Sequence, residues 1–161
     1  MSASISPDRV PGMVLLVNDV FGTHTEKDAK RLHRGDWEAY VDESGKHLDE
    51  SAFLNDAEKS ELLSETIDRV LISVGDSRAV RAVRLRFGID GQFRTLEKVG
   101  EELDPERTLS SERPRQLVAR GVRRLRHPAR RNHLLAFYGE KTTAEIRSEL
   151  QALPQPAQRS R

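Results

Sequence analysis

The sequence predicts an all-α fold, a small helical bundle with a helix-turn-helix, preceded by an irregular N-terminal segment. From residue 56 onward, apolar residues recur three and four positions apart, which is helical spacing. Glycines and prolines interrupt these runs at intervals typical of helix ends. The 161 residues are 36% apolar and 33% charged, with a mean hydropathy of −0.65, which suits a modest core. We expect an N-terminal segment and acidic linker over 1–55, a helix-turn-helix domain over 56–140, and a short helix and disordered tail over 141–161.

The N-terminal segment is the least regular part of the prediction. Residues 1–12 carry two prolines and small polar residues, which indicates a flexible lead. The short β-branched run 13–21 predicts one strand or a docked segment. Residues 25–33 fit a short helix. The acidic stretch 35–51 is interpreted as a loosely ordered linker, anchored by Trp37 and Tyr40.

The first three helices of the bundle are each marked by a capping residue or a stripe of apolar side chains. Leucine, isoleucine and valine at helical spacing predict a helix over about 56–73. A break follows, and Asp76 or Ser77 then caps a second helix, which ends at Gly88. Thr95 caps a third helix, whose apolar stripe is Leu96, Val99 and Leu103.

The fourth helix is rich in arginine and begins near Arg113 or Pro114, because proline is tolerated in a first turn. It ends at His127, which precedes a proline. A fifth helix continues to about Tyr138, and residues 142–153 form a short amphipathic helix. The predicted buried residues of the fourth helix are Leu117, Val118, Val122 and Leu125.

The composition excludes several function classes. Without cysteine, the chain has no disulfide, no thiolate zinc site and no cysteine nucleophile. Its histidines lack metal-ligand spacing, and there is no phosphate-binding glycine loop or nucleophile elbow, so we expect no enzyme, no metal and no cofactor. The apolar run 13–17 is far shorter than the roughly 20 residues of a membrane span, and the N-terminus lacks the order of a secretory signal. We therefore expect a cytoplasmic, nucleoid-associated protein without a membrane partner.

The charges are unevenly distributed along the chain. Residues 35–68 carry 11 Asp and Glu against 2 Lys and Arg, whereas residues 107–131 carry 9 Lys and Arg against 1 Glu. This asymmetry predicts an acidic arm beside a nucleic-acid-binding module. The alternative is that the two segments form solvated faces that neutralise each other.

Several short motifs in the arginine-rich half occur in a specific order. They are LRFG at 85–88, RTLE at 94–97, GEE at 100–102, RQ at 115–116 and LRHP at 125–128. Together they resemble the fourth conserved region of the housekeeping-type sigma factors of bacterial RNA polymerase, the helix-turn-helix domain that reads the promoter −35 element. The resemblance covers residues 62–138, about half of the chain. The acidic stretch after Trp37 is also similar to the linker before that region, although an unrelated acidic spacer is the alternative.

The resemblance implies a sigma-type transcription initiation factor that binds promoter DNA and the β flap of core RNA polymerase, with a second sigma-like subunit for −10 recognition. The residues expected to contact bases lie at the N-terminal, or leading, end of the fourth helix; they are Glu112, Arg113, Arg115 and Gln116. The implied phosphate contacts are Arg78, Arg86, Thr95, Leu96, Arg120 and Arg123. The implied polymerase contacts are Leu134, Leu135, Phe137 and Tyr138, for which packing inside the domain is the alternative.

The sequence departs from the family pattern in three ways; the first two, together with the acidic arm, favour a second hypothesis, and the third indicates that the chain is not a complete sigma factor. The connection before the fourth helix is about four residues longer, and Pro114 replaces an aliphatic residue. Residues 1–60 do not resemble the sigma regions that bind core polymerase and the −10 element. The alternative function is therefore a regulator that mimics this region and binds polymerase or its regulators without reading DNA sequence.

Overall fold

The computed structural model describes residues 6–22, 48–90, 92–106, 112–139, 141–151 and 153. These residues form helices and no strand, so the all-α prediction is confirmed for them. The interpretations of residues 25–33, of Trp37 and Tyr40, and of the tail after 153 lie outside the described residues. The α-helices are α1 (Val10–Phe21), α2 (Glu50–Leu54), α3 (Ala57–Val74), α4 (Ser77–Phe87), α5 (Leu96–Leu103), α6 (Glu112–Leu125), α7 (Pro128–Leu135) and α8 (Thr143–Leu150), with 3-10 turns at Pro7–Arg9 and Ala136–Tyr138.

The prediction of a strand or docked segment over 13–21 is wrong as to the strand, because these residues belong to helix α1. The prediction of a flexible segment over residues 1–12 is also wrong from residue 7 onward, since a 3-10 turn leads directly into α1. Pro11 lies in the first turn of α1, and Gly22, with φ of 68°, ends it. The helix is buried on nearly every side, so its sequence lacks the polar stripe that reveals an amphipathic helix.

Helix α1 packs against α2, α3, α4 and α6, which places it inside the bundle. Its first turn lies against the C-terminal end of α4, where a Cβ atom built on Gly12 would lie 1.9 Å from the carbonyl oxygen of Phe87. Nearby, Arg9 Nε donates to the carbonyl oxygen of Ile89 at 2.7 Å. Only glycine permits this separation between the two backbones.

The buried residue Asn18 ties two distant segments to α1. Its side-chain amide donates to the carbonyl oxygen of Leu48 at 3.2 Å, and its Oδ1 accepts from the Leu48 backbone N–H at 2.8 Å. The hydroxyl of Tyr138 donates to the same Oδ1 at 2.8 Å. Because an unpaired buried polar group is costly, these bonds fix the chain before α2 and after α7 relative to α1.

The predicted starts of α3, α4 and α5 are confirmed by their capping side chains. Asp56, Asp76 and Thr95 each accept a hydrogen bond from the backbone N–H three residues later. Helix α4 ends at Gly88, whose φ of 62° is left-handed, also as predicted.

The C-terminal helices also follow the prediction closely. Helix α6 includes Glu112, slightly before the expected start, and Pro114 lies in its first turn, where no helical hydrogen bond is lost. Helix α7 and the following 3-10 turn reach Tyr138. Thr142 and Glu145 form a capping box at the start of α8. None of the described helices is both long enough and apolar enough to cross a membrane.

Two apolar clusters hold the bundle together. The main core takes side chains from α1, α2, α3, α4, α6, α7 and α8, and so from all three predicted parts of the chain. A smaller cluster of Ala82, Leu85, Val99 and Leu117 joins α4, α5 and α6. A Cβ on Gly121 would lie 2.5 Å from Val83 Cγ2, which shows how closely α6 approaches α4. Helices α5 and α6, the two helices of the predicted helix-turn-helix, pack against each other and against α4.

We expect Gly12→Ala to lower the free energy of unfolding by about 1–3 kcal/mol, because the added methyl group meets backbone rather than a movable side chain. Urea denaturation measures this change. Gly139→Ala is the matched control, since its Cβ would lie 4.0 Å from the nearest atom, the Ala136 carbonyl oxygen. Equal losses for the two variants would contradict the close approach of α1 to α4.

Candidate nucleic-acid interface

Helix α6 has one apolar face and one basic face. Pro114, Leu117 and Leu125 are buried, and they hold the helix against its neighbours. Side chains three, four and seven positions apart share one side of a helix. The resulting basic face, which we call the α6 face, consists of Arg113, Gln116, Arg120, Arg123 and Arg124.

All four predicted base-reading residues are exposed at the leading end of α6. Three of them are bonded to one another. Glu112 accepts from Arg115 Nε at 3.2 Å and from Arg115 Nη2 at 2.7 Å, and it also accepts from Gln116 Nε2 at 3.1 Å. The hydrogen bond from Arg115 is the main reason that the pKa of Glu112 lies below its usual value. The carboxylate is therefore ionised at neutral pH, and it competes with a base for the N–H groups of Arg115 and Gln116.

The predicted phosphate contact Arg120 is paired with Asp76. Oδ1 of Asp76 accepts the capping hydrogen bond from the Ala79 N–H at 3.2 Å. Oδ2 lies 3.1 Å from Arg120 Nη1 and 3.6 Å from Arg124 Nη1. The hydrogen bonds from Ala79 and then Arg120 hold the pKa of Asp76 below its usual value.

The second role of Asp76 was missed because the sequence indicated only a helix cap. The available signal was the spacing of Arg120 and Arg124, which places two guanidinium groups one turn apart on α6. Two cations in that arrangement are able to share one carboxylate from a neighbouring helix.

The other predicted phosphate contacts differ in how accessible they are. Arg78 and Arg123 are exposed, and neither has an ion-pair partner among the described residues. Thr95 and Leu96 are half-buried at the start of α5, where first-turn backbone N–H groups have no helical partner. These four residues are therefore compatible with the predicted role.

Arg86 occupies a different environment from the other candidates, because it is only 6% exposed. Its Nη1 donates to the carbonyl oxygen of Arg94 at 2.8 Å, and its guanidinium carbon lies 5.0 Å from the centre of the Phe93 ring. In this position it braces the loop between α4 and α5 and offers almost no surface to a phosphate.

The four predicted polymerase contacts do not form an exposed surface. Leu134 and Phe137 are buried in the main core. Tyr138 is half-buried, and its ring stands edge-on to Phe21 at 4.9 Å. Only Leu135, which is 45% exposed, is available to a partner. The geometry of the other three matches the alternative interpretation, packing inside the domain.

Two arginines of the basic segment stabilise helix ends. Arg126 donates to the carbonyl oxygens of Asp19 and Val20, both at 3.0 Å, at the end of α1. Arg130 donates to the carbonyl oxygens of Ser73 and Arg124, also both at 3.0 Å, at the ends of α3 and α6. Cations are favourable at these termini because the last carbonyl groups of a helix carry partial negative charge. The count of basic residues therefore overstates the charge available to a nucleic acid.

The α6 face is suited to electrostatic docking. In the described ranges, no group of three or more His, Asp or Glu side chains is arranged to hold a metal ion.

A comparison with models of protein families found no match to this chain. A comparison with solved structures also found no match.

We expect Arg86→Ala to lower the free energy of unfolding by about 2–4 kcal/mol, because it removes the hydrogen bond to the part-buried Arg94 carbonyl oxygen and the contact with Phe93. The exposed Arg78→Ala is the control, with an expected change within about 0.5 kcal/mol. Urea denaturation gives both values. Wild-type stability in Arg86→Ala would contradict the bracing role.

Proposed function

We propose that this chain is a DNA-binding transcription factor of the sigma type, which inserts the leading end of α6 into the major groove of promoter DNA. The observation that supports this most strongly is the exposed α6 face, on a helix held by α4 and α5 through their shared apolar cluster. A rigidly supported helix with a basic, exposed leading end is the arrangement that helix-turn-helix proteins use. The ordered motifs within 84–131 support the −35 element as the target.

The proposed contacts divide into two chemical classes. Arg113, Arg115 and Gln116 contact base edges, since arginine pairs with guanine and glutamine with adenine through two hydrogen bonds. Arg78 and Arg123 contact phosphates, which position the helix but carry no sequence information. Each phosphate contact releases counterions, so the affinity falls as the salt concentration rises.

The sigma-type role adds the RNA polymerase core as a partner. The resemblance supports the β flap as the contact, and a second sigma-like subunit as the reader of the −10 element. Leu135 is the exposed apolar side chain of the segment to which this contact was assigned. A protein with this role works at the bacterial nucleoid.

The test is DNA binding by the full chain, with a preferred duplex first selected from randomised sequences. We expect Arg115→Ala to weaken binding to the selected duplex by about 1–3 kcal/mol, and to relax the preference at one base pair. Arg123→Ala should weaken binding to every duplex alike and reduce the slope of log affinity against log salt by about 1. Fluorescence anisotropy at several salt concentrations measures both effects.

Arg147→Ala is the matched control, because Arg147 is an exposed arginine on α8 rather than on the α6 face. It should leave both affinity and salt slope close to those of the wild type. Equal affinity of the wild type for selected and scrambled duplexes would contradict the proposal.

The second candidate function is a regulator that binds polymerase or its regulators without reading sequence. It is favoured by the bonds from Arg115 and Gln116 to Glu112, which hold two of the base-reading candidates on their own helix. A protein that only mimics the DNA-binding region needs its shape and not its base contacts.

Both candidates predict capture of purified core polymerase by the immobilised full chain, so the two are separated by whether the chain also prefers particular DNA sequences. The regulator predicts a complex whose amount is unchanged by Gln116→Ala and by competing duplex DNA. Failure of the chain to capture core polymerase would contradict the regulator hypothesis. A preference of the wild-type chain for particular DNA sequences would contradict that hypothesis as well.

A further inference from the structure

Asp76 lies beside the α6 face without belonging to helix α6. It is the capping residue of α4, and only one of its two carboxylate oxygens is needed for that task, since Oδ1 accepts the Ala79 N–H. Oδ2 is directed to the guanidinium groups of Arg120 and Arg124, at 3.1 Å and 3.6 Å. One carboxylate thus caps a helix and pairs with two cations of the neighbouring helix.

The three side chains of this contact differ in their exposure to solvent. The Asp76 side chain is 20% exposed, whereas those of Arg120 and Arg124 are 40% and 47% exposed. The anion is therefore sheltered, and both cations remain accessible from solvent. An approaching phosphate can reach the two arginines, but it meets cations whose charge Asp76 already compensates in part.

We propose that Asp76 limits the affinity of this protein for nucleic acid, because it competes with DNA phosphate for Arg120 and Arg124. This inference rests on the proposed function, and it concerns the strength of sequence-independent binding. Phosphate contacts raise the affinity for all sequences alike. A residue that restrains them lowers occupancy at sites that lack favourable base contacts.

The decisive variant is Asp76→Asn, which removes the charge and keeps a side chain that caps helices as well as aspartate does. At about 0.1 M salt we expect the dissociation constant for a mixed-sequence duplex to fall about threefold to tenfold, and the salt slope to steepen by about 0.9 for each arginine that gains a phosphate. Thermal denaturation of the variant checks that the fold is retained.

Asp68→Asn is the matched control, because Asp68 pairs at 3.0 Å with Arg84 of α4 and not with α6, and the change in net charge is the same. A second control is the double variant Arg120→Ala/Arg124→Ala. In that background, Asp76→Asn should have no more effect than Asp68→Asn, because the groups for which phosphate competes are absent.

Elution from immobilised heparin gives a readout that does not depend on DNA binding. Tighter duplex binding by Asp76→Asn than by Asp68→Asn, lost in the double-variant background, would support the inference. Equal behaviour of the two variants on duplex and heparin would overturn it and leave the proposed function intact. Weaker duplex binding by Asp76→Asn would also overturn it, since Asp76 would then position the arginines for DNA.

The two proposals fail in different ways. If no protein of the series binds any duplex, the proposed function is overturned. Later heparin elution of Asp76→Asn would then show that Asp76 restrains binding to polyanions other than DNA. Unchanged elution would remove both proposals.

Discussion

The burial of α1 is the constraint on which the arrangement of the other helices depends. This helix contacts four others, and its apolar side chains fill the space between them. Gly12 allows its first turn to touch the end of α4, and Asn18 fixes the segments before α2 and after α7. Burying apolar surface supplies the driving force, while these polar contacts select one arrangement among those that bury similar areas.

The arginines of this chain perform two physically distinct tasks. Arg126 and Arg130 donate hydrogen bonds to carbonyl groups at helix ends, and Arg86 is buried against an aromatic ring. Arg113 and Arg123 extend from α6 into solvent. The first group holds the helices in place and the second leaves positive charge at the surface, so an arginine-rich segment contributes to the fold as well as to the surface charge.

Much of the fold was predictable, because local signals mark helices α3 to α8. The capping residues Asp56, Asp76 and Thr95 each bond to a backbone N–H only three residues later, so the sequence alone indicates them. Helix α1 was not predictable in the same way, since a helix buried all round has no polar stripe. The surroundings of Arg78 and Arg86 differ because only one side of α4 faces the loop before α5. Asp76 contacts Arg120, which lies 44 residues later in the sequence. The difference between Arg78 and Arg86 has no local signature, and the contact of Asp76 is signalled locally only by the spacing of Arg120 and Arg124.

Helix α1 is hydrogen-bonded near both ends to residues that flank helices α5 and α6. Arg9 reaches Ile89 just after α4, and Arg126, just after α6, reaches the last carbonyl groups of α1. Separating α1 from the remainder would expose the main core and break these bonds together. We therefore expect the described helices to unfold as one cooperative unit, whose amide protons exchange through a shared global opening rather than through independent fraying of an N-terminal arm.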